Sequence, residues 1–133
     1  MAYWLMKSEP GSYSWQRLVS DGATEWDGMR NPAARLHLKA MKAGDEAFFY
    51  HSGVERSVVG IMRVAREARP DPKDPAWVSV AVEPVRALER PVTLKAIKAE
   101  PKLAAMELIR QSRLSVSPVR DEEWAAVLAM ARG

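Results

Sequence analysis

Three apolar runs between residues 46 and 85 constrain the fold of this chain more than any other feature. They extend from Glu46 to His51, from Val58 to Val64 and from Trp77 to Val85. In the third run, valines at positions 78, 80 and 82 alternate with smaller or more polar residues, which is the two-residue period of a β-strand. The run from Tyr3 to Ser8 predicts another short strand. The sequence therefore predicts a sheet built from several strands.

Turn-forming and strand-breaking residues mark where these runs end. Ser52-Gly53 follows the first run, and Gly60 within the second indicates a bulge or a close backbone neighbour. Segment 70–75 contains three prolines, which fix φ and remove hydrogen-bond donors, so we expect a loop there. The segment from Arg113 to Val116 is expected to add a short strand at the edge of the sheet.

Helix signals lie between and after the predicted strands. Asn31 followed by Pro32 is a good helix start, because asparagine caps the first turn and proline suits its first position. Gly44 ends that helix. The other predicted helices are Trp15 to Ser20 after a Ser14 cap, Thr93 through Ile97, Leu103 to Ile109, and Asp121 to Met130. Helices inserted among strands predict an α+β fold with a strongly bent or barrel-like sheet.

Length and composition limit the class of protein. With 133 residues and a mass of 14.9 kDa, the chain is expected to form one domain covering residues 1–133. Its hydrophobic content of 47% predicts a folded globule. No apolar run approaches the roughly 20 residues that a membrane span needs, and the N-terminus lacks the order of a signal peptide. A cytoplasmic monomer without membrane contact is therefore the expectation.

Residues that bind metals are scarce in this chain. It has two histidines and no cysteine, so a disulfide framework and a thiolate metal site are excluded. His37 has no second histidine four residues further on, and no glycine-rich phosphate loop is present. We therefore expect neither a metal nor another cofactor.

A mildly basic balance permits a polyanionic partner. The net charge is +3 and the sequence pI is 9.4. Between Arg86 and Arg113, seven basic residues outnumber three glutamates, and we predict that Lys95, Lys98 and Lys102 bind phosphates. The alternative is that these lysines only solvate the outer face of ordinary helices, which is common for a run of charges.

Trp26 lies among charged, turn-forming and cap-forming residues, in the segment Trp26-Asp27-Gly28-Met29-Arg30-Asn31. A tryptophan that serves only the core usually lies in an apolar periodic run. The indole offers a stacking surface for a planar polar ligand such as a nucleobase. Two interpretations are open: Trp26 stacks on a ligand, or it packs under a loop while Asn31 only caps a helix. The tryptophans expected mainly in the core are Trp4, Trp15, Trp124 and Trp77, the last being alternatively a pocket wall.

Two short polar segments lie at predicted strand ends. In Lys7-Ser8-Glu9, strand alternation places Lys7 and Glu9 on one face and Ser8 on the other. This lysine–glutamate pair is suited to holding a substrate or to proton chemistry, although a weak surface ion pair is more common. His51 and Ser52 point to opposite faces and therefore do not form a catalytic dyad. The Ser52 hydroxyl can bond a ligand edge, while His51 is alternatively a structural histidine.

Taken together, these blocks resemble the EVE domain family of the PUA-like superfold. The resemblance covers nearly the whole chain, and the order of its blocks makes it specific. The blocks are Tyr3-Trp4-Leu5-Met6-Lys7-Ser8-Glu9-Pro10, Trp26-Asp27-Gly28-Met29-Arg30-Asn31 with Ala34-Arg35, Met41-Lys42-Ala43-Gly44-Asp45, Phe49-Tyr50-His51-Ser52, Val59-Gly60-Ile61, Pro70-Asp71, Pro91-Val92-Thr93-Leu94 and Arg113-Leu114-Ser115-Val116.

The resemblance implies a PUA-like barrel of five or six strands with peripheral helices and a central concave pocket. It also implies a non-catalytic, nucleic-acid-binding reader of a modified base, most often a modified cytosine in DNA. In the related YTH domains, aromatic walls hold a methylated adenine. The predicted ligand-binding residues are Lys7, Ser8, Trp26, Arg30, Asn31, Tyr50, His51, Ser52, Asp71, Arg113, Leu114 and Ser115. Trp26 would stack on the base. The edge of the base would be hydrogen-bonded by Asn31, Ser52 and backbone groups near Ser8 and Leu114. Phosphates would be bound by Lys7, Arg30 and Arg113.

Two positions depart from the family pattern. Met29 stands where the family commonly has valine, and Pro32 where it commonly has an aromatic or other larger residue. A flexible methionine would widen or soften a pocket wall, which bears on the base preference.

Other functions compete with that of a DNA reader. Some ASCH-type proteins of the same superfold are small amidohydrolases of modified nucleosides that use a lysine, a hydroxyl residue and a glutamate. These residue types are present in Lys7, Ser8 and Glu9. The three residues are consecutive on one predicted strand, however, so the side chain of Ser8 points to the face opposite to that of the other two. An RNA-binding PUA-like module and a protein-interaction domain are further alternatives.

Overall fold

The computed structural model describes residues 1–28 and 30–132 of the chain. Its strands are β1 (Tyr3–Ser8), β2 (Thr24–Trp26), β3 (Glu46–His51), β4 (Ser57–Asp71), β5 (Asp74–Thr93) and β6 (Val116–Val119). Its α-helices are α1 (Trp15–Asp21), α2 (Pro32–Ala40), α3 (Leu94–Ala99), α4 (Glu107–Arg110) and α5 (Asp121–Arg132), and a 3₁₀-helix covers Pro101–Leu103.

The strands form one mixed sheet in the order β2-β5-β4-β3-β1-β6. β1 and β3 run parallel, whereas the other neighbouring pairs are antiparallel. The expected α+β fold with six strands and peripheral helices is confirmed. The sheet is not a closed barrel, because its terminal strands β2 and β6 do not pair with each other within the described residues.

Apolar side chains cover both faces of the sheet. Along β3, Phe49 belongs to one buried cluster, and Phe48 and Tyr50 belong to the other. This division follows from strand alternation, which sends successive side chains to opposite faces. On the second face, Trp124 of α5 stacks on Phe48 with ring centroids 3.9 Å apart. The sheet therefore lies between two apolar clusters, one on each face.

Local sequence signals located several elements correctly. β1 and β3 have the predicted bounds. The predicted caps are also confirmed, because Ser14 Oγ accepts from Arg17 N at 3.1 Å and Asn31 Oδ1 accepts from Ala34 N at 3.0 Å. Thr93 caps α3 in the same way. In each case one short side chain satisfies an amide that the first helical turn leaves unpaired.

Gly60 confirms the close neighbour expected within the second apolar run. A Cβ atom at this position would lie 2.7 Å from the Trp15 ring. The pairing register of β4 also shifts beside it, between Val58 and Gly60. The glycine therefore lets the helix-borne indole lie directly against the sheet.

The loop expected at residues 70–75 is wrong. β4 and β5 continue through it as one long hairpin, in which Asp71 pairs with Asp74 across a two-residue turn. Pairing with β3 reaches only to Arg63, so this end of the hairpin is a two-stranded ribbon. Proline has no backbone N–H to donate to a neighbouring strand. Pro70 is tolerated in the ribbon because a strand with a free edge does not require that donor.

Three further elements differ from the sequence-based description, one of them unpredicted and two expected elsewhere, and tertiary packing explains each of them. β2 was not predicted, because it has only three residues and is defined by its pairing with β5. The helix expected from Leu103 to Ile109 is interrupted at Met106, which has an extended backbone and is buried together with Leu103. The edge strand expected at Arg113 to Val116 is instead β6, which begins at Val116 where that residue pairs with Met6.

Candidate functional site

Two cavities meet at the end of β1, where Lys7 and Ser8 contribute to the walls of both. The one we name the tryptophan cavity has a volume of about 430 Å³, and the one we name the basic cavity has about 510 Å³. Both volumes lie in the range of small-molecule pockets. Besides Lys7 and Ser8, the tryptophan cavity is lined by Tyr13, Thr24, Glu25, Trp26 and Asp27. Polar residues that line the basic cavity include Glu9, Tyr50, Ser52, Arg56, Lys98, Ser112, Arg113 and Ser115.

Trp26 is both a core residue and a wall of the tryptophan cavity. Its side chain is only 6% exposed and meets Phe49 edge to face, with centroids 5.5 Å apart. Of the two interpretations left open by the sequence, the burial of Trp26 supports packing in the core, and stacking on a ligand stays a prediction. β2 aligns Trp26 with Val80 of β5, and the apolar neighbours come from distant strands that the local sequence does not reveal.

The indole nitrogen of Trp26 is an exception to the usual pairing of buried donors. Trp26 Nε1 is buried and has no acceptor among the described residues. Trp4 shows the ordinary arrangement, since its Nε1 donates to Asp45 at 3.1 Å. An unpaired buried donor costs about 1–3 kcal/mol, so this indole needs an explanation beyond packing alone.

Tyr13 forms a second aromatic part of the tryptophan cavity. Its hydroxyl donates to Asp21 at 2.9 Å, and its backbone carbonyl accepts from Ser8 Oγ at 2.6 Å. Burial raises the pKa of Tyr13, so the ring stays a neutral phenol at physiological pH. These bonds fix the tyrosine against the end of β1.

The two carboxylates of the tryptophan cavity have different partners. Glu25 accepts two bonds from Arg66, at 2.7 and 2.9 Å, and one from Ser79 at 2.9 Å. The Arg66 bonds hold the pKa of Glu25 below its usual range. Among the described residues, the one partner of the Asp27 carboxylate is Lys73, in a long ion pair at 4.0 Å. Asp27 is therefore the carboxylate with capacity to accept hydrogen bonds from a ligand.

Asp71 anchors the loop that follows Trp26. Its buried carboxylate accepts from Gly28 N at 3.1 Å, from Lys73 N at 2.8 Å and from Arg30 Nη1 at 3.2 Å. The backbone bond from Gly28 is the largest cause of the lowered pKa of Asp71. Gly28 has φ +75°, a conformation that glycine adopts readily. Asp71 therefore positions this loop and lines neither cavity.

Arg30 and Asn31 lie beyond the tryptophan cavity. Arg30 bonds Asp71, and its guanidinium lies 5.7 Å from the centre of the Trp77 ring, which Arg35 approaches at 4.9 Å. Asn31 caps α2 and lines a third cavity of about 360 Å³ together with Arg113 and Leu114. Asn31 and Trp26 therefore line different cavities, and the expectation about Met29 falls outside the described residues.

Lys7 stands between the two main cavities. Its ammonium donates to Ser112 O at 2.7 Å and lies 5.8 Å from the centre of the Tyr50 ring. Burial lowers the pKa of Lys7 and raises that of Tyr50. The backbone N–H of Lys7 also donates to Ser115 O at 2.9 Å. These bonds hold the 112–115 segment beside β1, although that segment is not the predicted strand.

Cations from three other segments complete the basic cavity. Lys98 comes from α3, Arg113 from the segment before β6, and Arg56 from the loop between β3 and β4. Arg56 has φ +44°, a left-handed conformation that is uncommon for a residue with a side chain. Its Nε donates to Gly53 O at 3.1 Å, and its carbonyl accepts from Leu94 N at 2.7 Å.

The three lysines predicted to bind phosphates occupy different places. Lys98 lines the basic cavity and a shallower neighbouring one of about 410 Å³, and Lys95 lines only the latter. Lys102 is exposed in the 3₁₀-helix and lines neither. The structure thus brings Lys98 next to Lys7 and Ser52, but it does not bring the three lysines to one cavity.

His51 and Ser52 separate at the end of β3. His51 is 3% exposed, and its Nε2 accepts from Trp15 N at 3.0 Å while Nδ1 lies 2.5 Å from Glu55. It therefore ties the start of α1 to β3. Ser52 lines the basic cavity, and its backbone N–H donates to Ser8 O at 3.0 Å.

Sequence reasoning missed Tyr13, Thr24, Arg56 and Ser112 as cavity residues. Arg56 follows Ser52-Gly53 in a short loop between two predicted strands, and a loop arginine beside a predicted site could have been singled out. Tyr13 and Thr24 had no comparable signal, although Tyr13 lies close to Ser8 in the sequence and Thr24 shares β2 with Trp26; the turn after β1 and the pairing of β2 with β5 bring them to the cavity. Asp27 lay within the Trp26 segment but was not among the predicted site residues.

Comparison with known proteins establishes the family. The EVE domain model matches residues 2–130. The chain belongs to the EVE domain family. The resemblance inferred from the sequence blocks is therefore confirmed along nearly the whole chain.

Relatives of this EVE domain occur in animals and bacteria. Thymocyte nuclear protein 1 of Mus musculus is 35% identical over 164 aligned residues, covering 96% of this chain and 73% of the relative. An NMR structure of a protein from Rhodopseudomonas palustris is 48% identical, with a TM-score of 0.95 and coverage of 99% and 94%. A crystal structure of human THYN1 in complex with DNA containing 5-methylcytosine is 32% identical, with a TM-score of 0.93 and coverage of 100% and 99%.

Membrane-spanning helices and clustered metal ligands are both absent from the described residues. No helix within residues 1–28 and 30–132 is long and apolar enough to cross a membrane. In the same residues, no group of three or more histidine, aspartate or glutamate side chains is arranged to hold a metal ion. We predicted that the chain binds no metal or other cofactor, that it is a monomer and that it is cytoplasmic, and these three statements stay predictions.

Proposed function

We propose that this EVE domain binds DNA that contains a modified cytosine and holds the flipped base in the tryptophan cavity. The observation that carries the proposal is the complex of human THYN1 with 5-methylcytosine DNA, because that protein aligns with the whole of this chain at a TM-score of 0.93. The tryptophan cavity supplies the chemistry that such a base requires.

Aromatic side chains give the cavity a surface for stacking. Trp26 and Tyr13 both line it, and Phe49 supports the Trp26 ring from behind with its centroid 5.5 Å away. A nucleobase stacked on an aromatic ring gains about 1–3 kcal/mol. A methyl group at C5 adds apolar surface to the base without blocking its hydrogen-bonding edge.

Asp27 supplies an acceptor for the edge of a cytosine. Carboxylates accept hydrogen bonds from the exocyclic amino group of cytosine, whereas thymine has a carbonyl at that position. Glu25 is occupied by Arg66 and Ser79, so Asp27 is the residue to which we assign this contact. The same contact would disfavour thymine, although thymine also has a C5-methyl group.

Stacking alone does not hold a flipped base in place. Extruding a nucleotide from a duplex costs a few kcal/mol, which is comparable to the gain from one stacked base. Contacts to phosphates must therefore contribute to affinity. Lys7, which lines both cavities, is the cation best placed to couple the two contributions.

The test compares two tryptophans that have the same burial but different access to ligand. Trp26 and Trp15 are each 6% exposed and each meet Phe49 edge to face, but only Trp26 lines the cavity. Binding of short DNA with cytosine or 5-methylcytosine at one position would be measured by fluorescence anisotropy. We expect Trp26→Phe to weaken binding of the modified DNA several-fold and Trp15→Phe to leave it unchanged. Equal effects of both variants would contradict the assignment.

The same samples address the competing functions. Oligoribonucleotides with 5-methylcytosine would test the RNA-binding alternative, and tighter binding to RNA than to DNA would favour it. The amidohydrolase hypothesis requires a reactive Ser8, yet Ser8 Oγ donates to Tyr13 O at 2.6 Å. Chromatography of modified nucleosides after incubation would reveal any turnover, which we do not expect.

A further inference from the structure

The basic cavity contains more positive charge than the protein neutralises. Lys7, Arg56, Lys98 and Arg113 line it, whereas Glu9 is its one acidic lining residue. Within residues 1–28 and 30–132, none of these four cations forms an ion pair with a carboxylate. Cations that converge on one concave surface without counterions favour an anionic ligand.

Lys7 is the cation for which a counterion would matter most. It is half-buried, and its ammonium donates to the neutral carbonyl of Ser112. Burial lowers the pKa of Lys7, because a charge removed from water is stabilised only where opposite charge or hydrogen bonds replace the solvent. An anion in the basic cavity would supply that charge.

Arg56 adds a second and independent indication of a ligand. Its backbone has φ +44°, and a non-glycine residue in this region stores strain that is found mainly at functional sites. The loop carbonyl of Gly53 holds Nε at 3.1 Å, which leaves the two terminal amino groups of the guanidinium available. A planar pair of donors of this kind matches the oxygens of a phosphate.

We propose that the basic cavity binds a phosphate of the same nucleotide whose base occupies the tryptophan cavity. This inference rests on the proposed function. The two cavities share the wall formed by Lys7 and Ser8, so a single nucleotide can place its sugar beside that wall and its two ends on opposite sides. Hydroxyl groups of Ser52 and Ser112 also line the basic cavity and suit a phosphate.

The first experiment measures what a phosphate adds to binding. Calorimetric titrations would compare 5-methyldeoxycytidine with its 5′-monophosphate and its 3′-monophosphate, and with inorganic phosphate alone. One monophosphate should bind at least about tenfold more tightly than the nucleoside, as expected for one charge-assisted contact. Arg56→Gln and Lys98→Gln should each remove most of this gain. Lys39→Gln, which removes an exposed lysine that lines neither cavity, should retain it.

Each outcome separates this inference from the proposed function. If the nucleoside binds but neither phosphate adds affinity, the phosphate site is wrong and the base site stands. If neither the nucleoside nor 5-methylcytosine DNA binds, the proposed function fails. Binding of inorganic phosphate alone, with no gain on joining it to the nucleoside, would contradict a nucleotide that spans both cavities. Should Arg56→Gln lower the melting temperature, Lys98→Gln alone decides, because Lys98 is exposed on α3.

The second experiment asks whether the phosphate belongs to DNA. Short DNA with 5-methylcytosine would carry a neutral methylphosphonate on the side of the modified nucleotide that the monophosphates identify. We expect about tenfold weaker binding than with the natural linkage, and an unchanged affinity for a methylphosphonate placed far from the modified base. If the flanking substitution has no effect although a monophosphate gains affinity, the cavity binds free nucleotides and the link to DNA is wrong.

Discussion

The tryptophan cavity and the basic cavity share a wall, yet their chemistry differs. The first has aromatic walls, a carboxylate in Asp27 and a buried indole donor that has no acceptor among residues 1–28 and 30–132. The second has four cations and several hydroxyl groups. One side of Lys7–Ser8 thus suits a planar base with hydrogen-bond donors, and the other side suits an anion. Under the proposed function, base identity and backbone charge would be recognised by separate parts of the site.

The two cavities should therefore respond to different conditions. Stacking on Trp26 depends on apolar contact and should change little with salt. Contacts to phosphates release counterions, so affinity through the basic cavity should fall as salt rises. With roughly 2–4 phosphate contacts, the log–log slope of DNA affinity against salt concentration should lie near −2 to −4.

The largest effect is expected for Trp26→Ala, which removes the wall of the tryptophan cavity and part of the core. Trp26 is 6% exposed, and truncation of a buried tryptophan to alanine costs about 3–5 kcal/mol of unfolding free energy. Denaturant titration monitored by circular dichroism would measure this loss. A variant as stable as the wild type would show that the ring is not part of the core, and Trp26→Phe is the suitable variant for binding.

A smaller loss of stability is expected for Asp71→Asn, with a defined pH dependence. Because the pKa of Asp71 is lowered, its charged form stabilises the fold above the ordinary carboxyl pKa, and this contribution disappears as the pH falls through the folded-state pKa. The difference in unfolding free energy between wild type and Asp71→Asn should therefore be largest at neutral pH and shrink below about pH 4.

Asp71→Asn also tests how the tryptophan cavity depends on its supporting loop. Asp71 holds Gly28 N and Arg30, so its loss should weaken binding of 5-methylcytosine DNA without changing the salt slope. A change in slope with unchanged base preference would instead place Asp71 with the phosphate contacts. Unfolding measured across pH and binding measured across salt distinguish these results.

The next effect concerns the charge of the basic cavity. Lys98→Gln should make the salt slope of duplex binding less negative by about 0.9, the value expected for one lost phosphate contact. Lys102→Gln changes the same charge outside both cavities and should change the slope less. Equal changes would indicate a diffuse basic surface in place of a defined cavity.

The smallest binding effects should come from Asn31 and Ser52, which separate structure from recognition. Asn31→Ala removes the α2 cap, which costs about 0.5–2 kcal/mol of stability. Ser52→Ala should leave stability nearly unchanged, because the hydrogen bond that Ser52 makes within the described residues comes from its backbone N–H, which alanine retains. Melting temperatures and DNA affinities of the two variants would be compared. A large loss of base preference in Asn31→Ala alone would bring the third cavity into the base site.

The parts of the fold that local chemistry determines could be predicted from the sequence. The caps at Ser14, Asn31 and Thr93, the strands β1 and β3, and the close approach at Gly60 all follow from a few adjacent residues. Elements defined by distant pairing could not be predicted in this way. β2 exists because β5 pairs with it, and the prolines at 70–75 are accommodated because one end of the hairpin has free edges.

The site shows the same division. Lys7, Ser8 and Trp26 were predicted to bind ligand, and the structure brings them to one cavity. The sequence left open whether Trp26 stacks on a ligand or packs inside the protein, because Phe49 and Val80 reach it from other strands. Tyr13 and Arg56 were missed for a related reason, since their proximity to Lys7 arises only when the turn after β1 and the β3–β4 loop fold back against the end of β1.

The most direct test of the account locates the modified base in the complex. Intermolecular nuclear Overhauser effects would be recorded between the C5-methyl protons of 5-methylcytosine in short DNA and the assigned aromatic protons of the protein. The account predicts contacts from this methyl group to the rings of Trp26 and Tyr13. Contacts only to residues of the basic cavity, or saturable binding without any contact to Trp26, would contradict the central claim that the tryptophan cavity holds the base.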